Sequence, residues 1–148
     1  MAPLLLLAVG ACTQVQQSQQ NPQVQQAGNL AGTTWRLAQV APPGSAAALR
    51  PDDLQRYTLH FDTDGRLSAR LDCNRGSGPW QATPTDAQAG SLRIGPIATT
   101  RAICPPDAIG ANLTRDLEAI TAYRLQDGRL YTSLQDGATT YAWEAIAP

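Results

Sequence analysis

The sequence is poor in the residues that metal and nucleic-acid sites need. Lysine is absent, histidine occurs once and cysteine three times among 148 residues. The net charge of -1 excludes a general electrostatic attraction to nucleic acid or anionic membranes. One histidine and scattered cysteines lack the four ligands and close paired spacing of a zinc site. The P-loop, the nucleophile-elbow serine motif and nucleic-acid motifs are also missing, so we expect no metal, cofactor or nucleic-acid partner.

Glycine and proline, by contrast, are frequent, with 12 and 11 residues respectively. This composition favours many short elements that are joined by turns. A chain of 148 residues has room for one domain of ordinary size.

The N-terminus resembles a lipoprotein signal peptide. A short apolar run, residues 3–9, leads into Gly10, Ala11 and Cys12. The run is far shorter than the ~20 apolar residues of a membrane-spanning helix. The segment from Val9 to Cys12 resembles a bacterial lipobox, although no arginine or lysine precedes the apolar run. We therefore predict lipidation at Cys12; the alternative is a plain signal peptide with an incidental cysteine. Thr13, rather than an aspartate, favours delivery to the outer membrane by that resemblance.

A glutamine-rich segment, residues 14–26, follows the leader. It cannot bury enough apolar surface to offset the entropy of ordering it. As a flexible tether it would span about 20–25 Å. The predicted organisation is a signal peptide at 1–11, an acylated cysteine and tether at 12–29, and one domain at 30–148.

Alternation of apolar and polar residues predicts strands through the first half of the domain. A first strand at 32–40 is expected to place Trp35 and Gln39 on one face and Val40 on the other. Asp64-Gly65 is a hairpin signal, because glycine accepts the positive φ of such turns, and residues 76–79 are interpreted as another turn. Further strands are expected at 57–61, 66–71, 80–82, 91–94 and 97–103.

The second half is expected to contain one helix and three strands. Asp107 is positioned to accept hydrogen bonds at a helix start, and Ile109, Leu113, Leu117 and Ile120 form one apolar stripe. Strands are expected at 122–126, 129–133 and 139–144, separated by Asp127-Gly128 and Asp136-Gly137. The predicted fold class is α+β, mainly β: a curved antiparallel sheet or small, partly open barrel of about eight strands with one packed α-helix.

Two cysteines remain once Cys12 is assigned to the leader. In an oxidising compartment we expect Cys73 and Cys104 to form a disulfide. The alternatives are buried thiols, or a nucleophilic cysteine with His60 as its base. No second titratable group is evident beside them, so no catalytic residue is assigned.

Several motifs follow one another along the domain: residues 32–35, the strand before Asp64-Gly65, Cys73-Asn74-Arg75 with Gly78-Pro79-Trp80, and Thr100-Arg101 with Cys104. In this order and spacing the sequence resembles the META domain family, whose members include the HslJ-like bacterial envelope lipoproteins. The resemblance covers about residues 30–144. It departs at Ala69 and Asp72, where the family often has glycine. It implies a compact β-rich envelope domain and supplies no reaction.

The motif residues have a structural and a functional interpretation. Asn74, Arg75 and Arg101 could together bind an anion, since arginine matches carboxylate or phosphate with two hydrogen bonds. We favour a structural role, in which Asn74 closes a turn and the arginines bind carbonyls or pair with Asp72. Thr100 is assigned to the same motif. The three tryptophans, Trp35, Trp80 and Trp143, are expected to be core rather than to line a ligand pocket.

The expected function is that of a non-enzymatic, monomeric outer-membrane lipoprotein, anchored through Cys12 with its domain facing the periplasm. Its expected role is envelope integrity or stress tolerance, as the association of the family with heat shock implies. One alternative is a barrel that binds a small apolar or lipid ligand. Another is an inhibitor or docking partner of an envelope hydrolase or secretion component.

Overall fold

A computed structural model gives the fold, and the structure describes residues 30–45, 47–135, 137 and 139–147. The predicted signal peptide, Cys12 and tether lie outside the described residues. The described chain forms nine strands and one α-helix. In chain order these are β1 Thr33–Ala41, β2 Tyr57–Phe61, β3 Arg66–Leu71, β4 Asn74–Pro84, β5 Ala89–Ile94, β6 Ala98–Thr99, α1 Gly110–Glu118, β7 Ile120–Gln126, β8 Arg129–Leu134 and β9 Thr140–Ile146.

Eight of these strands close an antiparallel barrel. The order around it is β1-β2-β3-β4-β5-β7-β8-β9, with β9 pairing β1 again. The long strand β4 completes the circuit because its first half pairs β3 and its second half pairs β5. The short strand β6 adds to the other edge of β4. The predicted fold, a mainly β barrel of about eight strands with one helix, is confirmed.

The hairpins with strong local signals were predicted correctly. Strands β2 and β3 have the expected bounds, and their apolar residues alternate inward. Gly65 in the turn between them has φ +84°, the left-handed conformation that glycine adopts without steric cost. The β7–β8 hairpin also forms at Asp127-Gly128. Strands β8 and β9 pair as predicted, although Asp136 of their turn lies outside the described residues.

The predicted turn at residues 76–79 is wrong, because these residues continue strand β4. Gly76 and Gly78 are needed there for close packing rather than for turning. A Cβ at Gly76 would lie 2.8 Å from the Ile97 side chain, and one at Gly78 would lie 2.7 Å from the Pro96 carbonyl oxygen. Glycine thus lets the segment around β6 lie directly on β4.

A β-bulge changes the inward face of β1. The register with β9 shifts between Leu37 and Gln39, which adds one residue to the strand. Val40 is therefore buried, whereas Gln39, which was expected to share a face with Trp35, is only half-buried. The strand predicted at 97–103 is also wrong in extent, because only Ala98–Thr99 pairs with β4.

Helix α1 covers one end of the barrel, here called the capped end. The predicted stripe of Ile109, Leu113 and Leu117 is buried, and Ile120 is buried as the first residue of β7. The helix begins at Gly110, three residues after Asp107, whose carboxylate accepts a hydrogen bond from the Ile109 N–H at 2.8 Å. The capped end is where β2 and β4 begin and β3 ends. The chain enters β1 at the opposite end.

Large side chains fill the barrel interior. Trp35, Trp80 and Trp143 are all buried, which confirms their assignment to the core. Trp80 packs edge-on against Phe61 with ring centroids 5.0 Å apart, and it donates a hydrogen bond to the Asp62 carbonyl oxygen. Among the described residues, no helix has the length and apolar character needed to cross a membrane.

Candidate functional site: a cleft beside the disulfide

A cleft of about 290 Å³ opens at the capped end of the barrel. It lies between the β3–β4 turn, the irregular segment that follows β6, and the start of α1. Polar side chains and the disulfide form much of its wall, including Asp72, Asn74, Thr100, Cys104, Asp107 and Thr114.

Cys73 and Cys104 form a disulfide beside this cleft, with their Cα atoms 5.6 Å apart, and Cys104 lines the cleft. Cys73 lies in the two-residue turn between β3 and β4, after Asp72. Asp72 has φ +62°, so a left-handed position is occupied by a residue other than glycine. Glycine would adopt this conformation without strain. The bridge joins the turn to the segment 100–106, which has no regular secondary structure.

Asn74 fixes the same segment with its side chain. Its Oδ1 accepts hydrogen bonds from the Thr100 hydroxyl at 2.9 Å and the Ala102 N–H at 2.7 Å. Its Nδ2 donates to the Ala102 carbonyl oxygen at 3.0 Å and lies 3.2 Å from the Cys104 sulfur. The Thr100 hydroxyl also accepts a hydrogen bond from the Arg75 N–H. Asn74 and Thr100 therefore hold the segment beside the disulfide through a shared set of hydrogen bonds.

The structure does not bring all the motif residues together. Trp80 is core, and the exposed side chains of Arg75 and Arg101 have no hydrogen-bond or ion-pair partner within the described part of the chain. The expected pairing of these arginines with Asp72 is wrong, because Asp72 pairs with Arg56 at 2.7 Å. Arg56 lies directly before β2 and beside the β3–β4 turn, and its carbonyl oxygen accepts a hydrogen bond from the Asp72 N–H.

Arg56 connects two carboxylates at the edge of the cleft. It lies 2.7 Å from Asp72 and 3.3 Å from Asp107, and Asp107 also accepts a hydrogen bond from the Tyr57 hydroxyl at 2.8 Å. Burial alone would raise the pKa of Asp107. Hydrogen bonds from the Ile109 N–H and Tyr57, together with Arg56, outweigh burial and lower that pKa. Burial, followed by the bond to Asp107, raises the pKa of Tyr57.

This arrangement supplies binding and structural groups rather than a nucleophile. Both cysteines are in the disulfide, so neither is a thiolate that His60 could activate. His60 lies on the outer face of β2, with its ring nitrogens near the Thr34 hydroxyl and Asp62. Among the described residues, no group of three or more His, Cys, Asp or Glu side chains could hold a metal ion.

The network of Arg56, Tyr57, Asp72 and Asp107 was not predicted from the sequence. Tyr57 offered the one usable signal, because an inward-facing tyrosine needs a partner for its hydroxyl. The identity of that partner depends on where α1 lies, which the strand pattern does not reveal. A second pair of this kind joins the Tyr141 hydroxyl to Asp116 at 2.6 Å, and Asp116 is only 8% exposed.

Comparison with known proteins identifies the fold. A family model described as META domain matches residues 28–145. The NMR structure of a protein from Burkholderia xenovorans is similar, with a TM-score of 0.62, 20% identity, and coverage of 80% of this chain and 85% of that chain. A crystal structure of a DUF4847 family protein from Bacteroides vulgatus has a TM-score of 0.56, 14% identity, and coverage of 78% and 94%. No curated protein is detectably similar to the chain.

Proposed function

Because the chain belongs to the META domain family, we propose that it is a non-enzymatic lipoprotein of the bacterial envelope that contributes to envelope integrity or stress tolerance. The observation that carries this proposal is the disulfide between Cys73 and Cys104. Disulfides form and persist in oxidising compartments such as the periplasm and are rare in the cytosol. The lipobox-like segment that ends at Cys12 supplies the anchor, and the outer membrane is the proposed location.

The point at which the chain enters the barrel is compatible with a lipid anchor at Cys12. The chain enters β1 at Thr33, which pairs with Phe61 at the end of β2. Tyr57, at the start of β2, contacts Asp107 at the cleft. The entry point and the cleft are therefore at opposite ends of the barrel. A tether from an anchor at Cys12 would therefore join the barrel at the end away from the cleft and leave the cleft unobstructed.

The charges in the cleft support a role without catalysis. General acids and bases need a titratable group that is free to exchange a proton near neutral pH. Asp72 and Asp107 instead share Arg56, and the pKa of Asp107 is lowered rather than raised. The Asp107 carboxylate is therefore stabilised in its ionised form, which suits a structural or binding role.

The anchor is tested by metabolic labelling with radioactive palmitate. Wild-type protein should incorporate label and fractionate with the outer membrane. Cys12→Ala should lose the label and appear in the soluble periplasmic fraction. The matched control is Cys73→Ala with Cys104→Ala, which should remain labelled. If Cys12→Ala is labelled as strongly as the wild type, the anchor is refuted.

A second candidate function is docking to a periplasmic protein, such as a hydrolase or a secretion component. Ile103 favours it, because this side chain is 100% exposed on the segment that the disulfide and Asn74 hold in place. A pre-ordered loop loses little conformational entropy on binding, so a protruding apolar residue on it can act as an anchor. Pull-down with acyl-free protein should recover a partner that Ile103→Asp loses. Equal recovery by both would contradict docking through this loop.

The other alternative, a small apolar or lipid ligand inside the barrel, receives no support from the interior. Trp143, Tyr57 and Phe61 are among the largest fully buried side chains, and they occupy the space that such a ligand would need. Native mass spectrometry of gently purified protein checks this alternative. A co-purifying lipid that is released on unfolding would support ligand binding inside the barrel.

A further inference from the structure

A shallow groove of about 470 Å³ lies on the outer face of β2, β3 and β4. It is separate from the cleft at the capped end and takes no part in the proposed function. The polar side chains that line it are Gln55, Thr58, His60, Ser68, Arg70 and Arg75.

Two arginines face each other directly in this groove. Arg70 of β3 and Arg75 of β4 are partners in the antiparallel register, and both are exposed. Like charges at directly opposed positions destabilise a sheet. Their side chains have little internal compensation: Arg70 Nε donates to the Asp72 carbonyl oxygen at 3.4 Å, and the Arg75 side chain has no partner within the described residues.

The two nearest carboxylates have partners other than Arg70 and Arg75. Asp72 is bound by Arg56 at 2.7 Å. Asp62 contacts two groove-lining residues two positions further along the strands, the His60 ring at 3.0 Å and the Ser68 hydroxyl at 3.4 Å. The groove therefore brings two guanidinium groups together, and no carboxylate is among the residues that line it. Each guanidinium is a planar fork of donors that fits an oxyanion bidentately.

Elsewhere on the barrel, one carboxylate lies between two arginines and neutralises them. On the outer face of β8, β9 and β1, Glu144 lies in register between Arg129 and Arg36. Its two oxygens contact these arginines at 3.1 Å and 3.3 Å. The Arg70–Arg75 pair has no corresponding carboxylate among the described residues.

We propose that the groove binds a phosphate-class oxyanion between Arg70 and Arg75, in the role that Glu144 has between Arg129 and Arg36. The oxyanion bridges the two guanidinium groups and relieves their repulsion, and the Ser68 and Thr58 hydroxyls line its surroundings. Free phosphate and the phosphate of a lipid headgroup present the same chemistry to the two arginines.

The test uses the full chain with Cys12→Ala, so that an anchor cannot attach it to membranes. Inorganic phosphate is titrated while the Arg Nε–H resonances are followed by NMR. Co-sedimentation is measured with vesicles of phosphatidylglycerol and phosphatidylcholine in equal parts. Arg75→Gln should weaken binding about tenfold or more, since it removes a charge-assisted pair of hydrogen bonds. Arg93→Gln is the matched control, because Arg93 is exposed and has no partner within the described chain.

The two assays distinguish the source of the oxyanion. Shifts of the Arg70 and Arg75 resonances with free phosphate identify a soluble ligand, provided that the Arg70 shift is lost in Arg75→Gln. Vesicle binding without a response to free phosphate, again lost in Arg75→Gln only, identifies a headgroup. The Arg75→Gln variant should melt no lower than the parent chain in phosphate-free buffer. Absence of binding in both assays, or equal weakening by Arg93→Gln, would overturn the proposal.

Discussion

Removing the disulfide should destabilise the domain by about 3–4 kcal/mol, because the bridge closes a loop between residues 31 positions apart. The loss arises mainly in the unfolded chain, which gains conformational entropy when its two cysteines are no longer joined. It is a large part of the roughly 5–15 kcal/mol that stabilises a typical domain. For a domain of this size the midpoint of thermal unfolding should fall by about 10–20 °C.

The folded barrel should survive this change. Strands β3 and β4 stay paired through six registered residue pairs. Asn74 still holds segment 100–106 through Thr100 and Ala102. The Ala102 N–H should therefore remain protected from hydrogen exchange when only the cysteines are replaced. It should become unprotected when Asn74→Ala is added, because its acceptor is then absent.

The assay is urea unfolding of the full chain, followed by tryptophan fluorescence and far-ultraviolet circular dichroism. Cys12→Ala serves as the parent, and Cys73→Ala with Cys104→Ala is added to it. Amide exchange measured by NMR reports on Ala102. A loss of stability under about 1 kcal/mol would refute the account of the bridge as a constraint on the unfolded chain. Rapid exchange of the Ala102 N–H in the cysteine variant, with Asn74 intact, would show that Asn74 does not hold the segment independently of the disulfide.

Three further substitutions test individual contacts by urea unfolding. Gly78→Ala should cost about 1–3 kcal/mol, since its Cβ would meet a carbonyl oxygen at 2.7 Å. Tyr141→Phe should cost about 1–3 kcal/mol, because it removes the hydroxyl that donates to buried Asp116. Asp107→Asn should reduce the loss of stability on acidification. The lowered pKa of Asp107 means that its contribution is present above its ordinary pKa of 3.8 and is lost as pH falls through the folded-state value.

Each of these variants has an outcome that contradicts its reasoning. Gln81→Ala, on an exposed position of the same strand, should be nearly neutral and is the control for Gly78→Ala. Equal effects at both positions would show that close packing is not the cause. If the Tyr141→Phe variant is as stable as the wild type, the Tyr141 hydroxyl makes no net contribution to the free energy of unfolding. An Asp107→Asn variant whose stability falls below pH 4 as steeply as the wild type would exclude this carboxylate as the titrating group.

Local signals explain what could be predicted from the sequence. The hairpin from Tyr57 to Leu71 combines strict alternation with Asp64-Gly65, so its strands, inward face and turn follow from neighbouring residues. The apolar stripe of α1 was equally clear, since a helix of the wrong phase would expose Leu113 and Leu117. The start of the helix was less clear, because α1 begins at Gly110, three residues after Asp107.

Glycine and arginine were harder to interpret because each serves several purposes. Gly76 and Gly78 have the composition of a turn, but they lie in a strand on which another segment packs without space for a Cβ. The presence of a bulge in β1 likewise cannot be read from alternation, which it interrupts. Arg56 was overlooked, and Arg75 and Arg101 were expected to bind carbonyls or to pair with Asp72. The cation that pairs with Asp72 depends on which strand ends meet at the turn.

Segment 100–106, which the disulfide joins to the β3–β4 turn, has a different role from the barrel. The barrel closes through the β3–β4 ladder and buries its core without any contact from Ile103. The disulfide and Asn74 nevertheless add two separate constraints to the segment that displays this fully exposed side chain. Stabilisation of the fold alone would require only the covalent constraint on the unfolded chain. The hydrogen bonds of Asn74 instead act on the folded surface, which argues that the shape of the capped end, and not only the stability of the barrel, is the property that these residues maintain.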